Sequence, residues 1–129
     1  MLKKLIDELA QELSMQELIQ SSQQDRRFLL PFDDDIQVNA LQQDKSFLLK
    51  GIICPCPENN AEAFLTKTMS ANLFGAGTRN GSIGMDELGK LLTLSMELHY
   101  NCSYKDFKEK LEDFVSVISY WREEALRHR

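Results

Sequence analysis

The feature that most constrains the fold of this chain is a hairpin pattern in its second half. In the segment Leu91 to Leu98, leucine or methionine occupies every even-numbered position, and polar residues separate them. A period of two predicts a β-strand that buries one face. Ser82 to Asp86 predicts a second short strand, and residues 87–90, which contain Gly89, predict the tight turn between the two. The pattern therefore predicts an antiparallel sheet.

Three more strands are predicted before this hairpin, over Arg27 to Phe32, Ile36 to Leu41 and Ser46 to Cys54. The polar segment Gln20 to Asp25 predicts a loop. Pro31 indicates that the first of the three strands ends early or lies at an edge, because proline has no N–H to donate to a neighbouring strand.

The strand from Ser46 to Cys54 is apolar on both faces. Its large apolar residues are Phe47, Leu49 and Ile53 on one face and Leu48 and Ile52 on the other. A strand of this kind usually lies between two covering layers. Either the first and last helices cover the two faces, or one face is left for a partner.

Three helices complete the predicted fold. The first, Leu2 to Leu13, places its apolar residues on one stripe, and the second spans Glu58 to Phe74. The third spans Tyr104 to Arg127, with Ser103 as its N-cap. The predicted order is α-β-β-β-α-β-β-α. We expect an α+β fold of one domain over residues 1–129, with a twisted antiparallel sheet and three helices.

Composition argues against several classes of protein. The formal net charge of −5 argues against general nucleic-acid binding, since phosphate affinity depends on clustered lysine and arginine. No apolar run approaches the ~20 residues that a membrane span needs. Asp7 and Glu8 lie where a signal peptide would need an unbroken apolar stretch. We therefore expect a cytoplasmic protein with no nucleic-acid partner and no membrane span.

The sequence offers few groups for catalysis or metal binding. Cys54 and Cys56 flank a single proline, whereas metal and redox motifs normally place two residues between cysteines. Cys102 makes the count odd, which fits a reducing compartment. The run of acids at residues 33–35 predicts a turn, and no further ligands follow it at calcium-loop spacing. We expect no enzyme activity, no metal and no cofactor.

Three segments of the sequence carry a family resemblance. They are LIDELAQEL in the first helix, ANLFGAGTRNGSIGMDELGKLL from the second helix into the hairpin, and FKEKLEDFVSVISYW in the last helix. In this order they resemble the Tir chaperone family, the small acidic class I chaperones of bacterial type III secretion, from Leu2 to about Trp121. The CPCP segment and the lack of an extended acidic tail depart from the family pattern.

The resemblance implies a dimer, formed with itself or a related chaperone, that holds the non-globular secretion segment of an effector or gatekeeper protein. Apolar patches and a sheet edge would serve this task. The predicted cargo-binding residues, beside the first helix and first strand, are Leu5, Leu9, Leu13, Phe28, Leu30 and Phe32. The predicted dimer-interface residues, from the second helix to the last strand, are Phe64, Leu65, Met69, Leu73, Leu92, Leu94 and Met96.

Two alternatives stay open from the residues alone. The apolar stripe of the first helix would look the same if it packed on the chain's own sheet. The chain as a whole would also suit an α+β adaptor or regulatory module that binds a folded protein.

Overall fold

The fold is given by a computed structural model that describes residues 2–14, 19–22, 26–32, 36–56, 61–74, 81–86 and 88–127. These residues form three helices and six strands. In chain order they are α1 (Leu2–Leu13), β1 (Gln20–Ser22), β2 (Arg27–Phe32), β3 (Ile36–Gln42), β4 (Ser46–Pro55), α2 (Ala61–Phe74), β5 (Ser82–Met85), β6 (Leu91–His99) and α3 (Tyr104–Arg127).

The described strands form one antiparallel sheet in the order β1-β2-β3-β4-β6-β5. The predicted α+β class, with three helices and one antiparallel sheet, is confirmed. The loop predicted over Gln20 to Asp25 is wrong at its start, because Gln20–Ser22 pairs with β2 as the edge strand β1. The predicted turn at residues 33–35 and the first residues of the predicted second helix, 58–60, lie outside the described residues.

One face of the sheet carries the core. The register aligns Gly51 of β4 with Val38 of β3 and Leu94 of β6, and all three residues are buried. A Cβ atom added to Gly51 would lie 2.9 Å from Cδ1 of Ile118 and 3.0 Å from Cε1 of Phe114. Helix α3 therefore packs directly on the backbone of β4 at this point.

Helices α1 and α2 pack against the same core. Leu9 of α1 belongs to one buried cluster with Leu30 of β2 and Phe114 of α3. The ring of Phe64 in α2 meets the ring of Trp121 in α3 edge to face, with centroids 6.0 Å apart. The first and last helices thus share one face of the sheet, and they do not cover opposite faces.

Strand β4 contains a bulge that α3 stabilises. Between Ile52 and Cys54 its register against β6 shifts by one residue, which leaves Ile53 as the extra residue. Arg122 donates hydrogen bonds from Nε to the carbonyl oxygen of Ile53 at 2.5 Å and from Nη2 to that of Ile52 at 3.2 Å. These bonds anchor the end of the strand, where Cys54 and Cys56 are half-buried thiols and not disulfides.

We expect Gly51→Val to lower the free energy of unfolding by about 1–3 kcal/mol, because a branched side chain there must displace Ile118 and Phe114. Gly84→Val is the matched control, since a Cβ atom on that strand residue meets nothing closer than Oγ1 of Thr93 at 3.9 Å. Urea denaturation of both variants measures the difference. Equal losses of stability would show that α3 does not depend on the missing side chain at position 51.

Candidate functional site

Most of the predicted cargo-binding residues lie in the core of the chain. Four of the six are buried: Leu5, Leu9, Phe28 and Leu30. Phe32 is half-buried and packs against the core cluster. Leu13 is 43% exposed. Within this set, therefore, the end of α1 and the end of β2 are the parts that reach the surface.

Helix α1 is attached to the rest of the chain at both ends. The backbone N–H of Leu2 donates a hydrogen bond to Oε1 of Gln42 at 3.2 Å. The Glu12 carboxylate accepts hydrogen bonds from Lys108 and from the Tyr104 hydroxyl, both in α3. Both hydrogen bonds lower the pKa of Glu12, and the bond from Lys108 has the larger effect. Burial, followed by the bond to Glu12, raises the pKa of Tyr104 to about 12. These contacts hold the apolar stripe of α1 against the core.

The predicted dimer-interface residues divide in a similar way. Four of them are buried in the chain's own core: Phe64, Leu92, Leu94 and Met96. On the outer side of α2, Leu65 is half-buried and Met69 is 69% exposed. The side chain of Leu73 lies outside the described residues. Helix α2, which contacts the edge strand β5, therefore carries apolar residues on its outer surface.

A buried carboxylate fixes the orientation of α2 on α3. Glu124 is only 5% exposed and accepts from Nζ of Lys67 at 2.5 Å and from Nη1 of Arg127 at 3.0 Å. The bond to Glu124 is the main cause that raises the pKa of Lys67. A buried charge is tolerated only when it is paired. This pairing therefore helps to fix the face of α2 that points away from the core.

The face of the sheet opposite the helices is exposed at its centre. Asn39 of β3, Lys50 and Ile52 of β4, and Glu97 of β6 lie there and are exposed. We call this surface the open face. Ile52 is 51% exposed although it lies in a central strand. The described helices therefore leave one face of β4 uncovered, and a partner on that face stays a prediction.

Two shallow grooves meet at Ile52. The first has a volume of about 330 Å³ and is lined by Asn39, Lys50, Gly51, Ile52, Met85, Asp86, Leu91 and Thr93. The second has a volume of about 340 Å³ and is lined by Ile52, Ile53, Cys54, Pro55, Arg122, Ala125 and Leu126. Met85 and Leu126 are 43% and 58% exposed. The site prediction missed this apolar surface. The sequence contains a signal for it, because it places Ile52 on the face of the strand opposite to Phe47, Leu49 and Ile53.

The hairpin between β5 and β6 presents an exposed leucine on an ordered turn. Oδ1 of Asp86 accepts hydrogen bonds from the backbone N–H groups of Lys90 at 2.8 Å and Leu91 at 3.1 Å. These backbone hydrogen bonds lower the pKa of Asp86, and the bond from Leu91 has the largest effect. Gly89 supplies the positive φ of 68° that the turn requires. Leu88 is 76% exposed, so this turn adds a further apolar group to the surface.

The described surface is suited to binding a polypeptide. The sheet ends at β1 and β5, and edge strands can accept a further strand. In the described ranges, no three histidine, cysteine, aspartate or glutamate side chains are grouped as a metal site requires. None of the described helices is long and apolar enough to cross a membrane. What the described surface offers a partner is two strand edges and exposed apolar residues.

We expect Leu9→Glu to cost more than about 3 kcal/mol of stability, because it buries an unpaired carboxylate at a position that is 1% exposed. Leu13→Glu, at the exposed end of the same stripe, is the matched control and should cost less than about 1 kcal/mol. Circular dichroism during thermal unfolding measures both. A stable, well-folded Leu9→Glu variant would contradict the placement of this stripe in the core.

Comparison with known proteins identifies the family. The sequence model of the Tir chaperone protein (CesT) family matches residues 4–122. The chain is similar to a chain of the HopA1–SchA chaperone–effector complex, with 18% identity and a TM-score of 0.73 over 94% of this chain and 92% of that one. It is also similar to a chain of the complex between the Yersinia pestis type III secretion chaperone SycH and a stable fragment of YscM2, with 18% identity and a TM-score of 0.65 over 98% of each chain.

The fold also occurs outside these complexes. YbjN from E. coli, which is proposed to be a transcription regulator, shares 18% identity and a TM-score of 0.59 over 95% of this chain and 92% of its own. No curated protein matches the sequence. At these identities the solved structures show the fold alone, whereas the family match spans nearly the whole chain. It confirms the resemblance carried by the three sequence segments: the chain belongs to the Tir chaperone protein (CesT) family.

Proposed function

We propose that this protein is a type III secretion chaperone that binds the non-globular secretion segment of an effector or gatekeeper protein. It keeps that segment soluble and competent for secretion. The observation that carries the proposal is the family match over residues 4–122. Two of the similar structures contain a chaperone with a partner, HopA1–SchA and SycH with YscM2. The fold alone would not decide, since YbjN shares it.

The proposed cargo site runs along the outer edge of the sheet beside β2. Of the predicted residues, Phe32 at the end of β2 is half-buried, and Leu13 at the end of α1 is 43% exposed. The buried residues of the predicted site, Leu5, Leu9, Phe28 and Leu30, form the floor beneath it. A strand added at this edge would gain backbone hydrogen bonds and place every second side chain against apolar surface. These buried residues thus contribute to the site by supporting its shape.

The proposed activity consists of binding and release alone. It needs no catalytic residue, metal or cofactor, and no nucleotide hydrolysis by this chain. We place the protein in the bacterial cytoplasm, where its three cysteines would stay reduced. Its net charge of −5 would help to keep the complex soluble despite the exposed apolar groups.

The proposed dimer, of two copies or with a related chaperone, uses the end of the molecule formed by α2 and β5. Met69 on α2 and Met85 on β5 are exposed, Leu65 is half-buried, and the two elements contact one another. The buried residues Phe64, Leu92, Leu94 and Met96 would support this interface from inside. An obligate interface would bury on the order of 2,000 Å² in total.

We expect the double change Met69→Glu and Met85→Glu to give a monomer, because it places two unpaired charges in an apolar interface. Light scattering at micromolar concentration measures the mass. Leu13→Glu is the control, since it adds a charge at another exposed apolar residue, and it should remain dimeric. A wild-type protein that is monomeric in the absence of a related chaperone would contradict the proposed homodimer.

Affinity purification from the native host, followed by mass spectrometry, tests the proposed function. We expect one main partner, with a segment that resists protease while bound and is degraded rapidly once released. The likeness to YbjN supports an alternative, an α+β adaptor or regulatory module with a folded partner. Retention only of partners that resist protease when free would favour that alternative over the chaperone function.

A further inference from the structure

The edge proposed for cargo is already partly occupied. Strand β1 pairs antiparallel with the first three residues of β2: Gln20 with Leu29, Ser21 with Phe28 and Ser22 with Arg27. An extended segment that adds to β2 needs the same backbone groups. Such a segment must therefore either replace β1 or pair along the outer side of β1.

The sequence of β1 is poorly suited to this position. Its three residues, Gln-Ser-Ser, are polar and few, whereas stable strands are longer and rich in β-branched and aromatic residues. The register position opposite Phe28 holds a serine, although the Phe28 side chain is buried on the helix side of the sheet. Among the described strands, β1 pairs with β2 and with no other. The pairing of β1 alone would thus contribute little free energy. The apolar contact beside it is that of Ile19, which is half-buried against the core and which a partner segment would have to replace.

A partner with a different pattern would bind the same edge more strongly. Side chains alternate along a strand, so residues opposite Phe28, Leu30 and Phe32 lie on the helix side of the sheet. Phe32 is half-buried, and an apolar neighbour would bury more of its surface. A partner segment with an apolar residue at every second position would gain these contacts, whereas β1 itself offers only Ser21 on this side, opposite Phe28.

We propose that β1 occupies the partner's position on β2 while no partner is bound. An extended partner segment with alternating apolar residues then displaces β1. The inference rests on the proposed function, because it specifies how the cargo reaches its site. While no cargo is bound, β1 covers an edge that would otherwise be open to unwanted strand pairing. Because β1 must be displaced, the exchange favours segments with the alternating pattern over other unfolded chains.

Two fluorescein-labelled peptides of equal composition test this displacement. One has leucine and valine at every second position, with serine and glutamine between them, and the other has its apolar residues contiguous. Fluorescence anisotropy measures their binding to the full chain and to two variants. Gln20→Pro weakens β1 by removing the backbone N–H that faces Leu29, and Ser21→Val strengthens it by adding a β-branched residue opposite Phe28. We expect the alternating peptide to bind about threefold to fivefold tighter to Gln20→Pro, and weaker by a similar factor to Ser21→Val.

The opposite order of affinities would show that partners add to the outer side of β1 and would overturn the displacement. Equal binding to all three chains, equal binding of the two peptides, or no binding at millimolar concentration would overturn it as well. Circular dichroism establishes that each variant is folded, and Ser21→Val alone decides the question if Gln20→Pro unfolds. If the native host yields no cargo while these peptide results hold, the proposed function fails and the displacement stands.

Discussion

The close packing of α3 on the backbone of β4 at Gly51 is the contact on which the rest of the structure depends. Ile118 and Phe114 occupy the space that any side chain at this position would fill. The other two helices are then attached to α3. The Glu12 carboxylate of α1 bonds to the first two turns of α3, and Phe64 of α2 packs on the later Trp121. The described helices therefore lie on one side of the sheet.

This one-sided arrangement determines what remains available to partners. The open face and the edges of the sheet stay accessible, and Ile52 is the apolar residue where the two grooves meet. Met69 on α2 is a further exposed apolar residue, and Met85 on β5 is exposed as well and also lines the first groove. The proposed function requires two such surfaces, one for a second chaperone subunit and one for a cargo segment. The β2 edge and the α2–β5 end are candidates for these separate tasks.

Periodicity in the sequence was sufficient to predict most of the elements. The alternation from Leu91 to Leu98 reports the burial of one face directly, and β6 forms there with its even-numbered residues inward. The site was harder to predict, because an amphipathic stripe such as that of α1 looks the same whether it faces a core or a partner. Tertiary packing decides this, and it buries Leu5 and Leu9. Strand β1 was missed because its three residues are all polar and show no apolar alternation.

The central claim is that a partner segment binds as an extended strand on β2. Hydrogen–deuterium exchange of the chain, alone and with the segment retained from the native host, measures this most directly. The account predicts slower exchange in Arg27–Phe32, faster exchange in Gln20–Ser22 as β1 is displaced, and protection along one continuous run of the partner. Protection confined to the open face or to α2 and β5, with β1 and β2 unchanged, would contradict it.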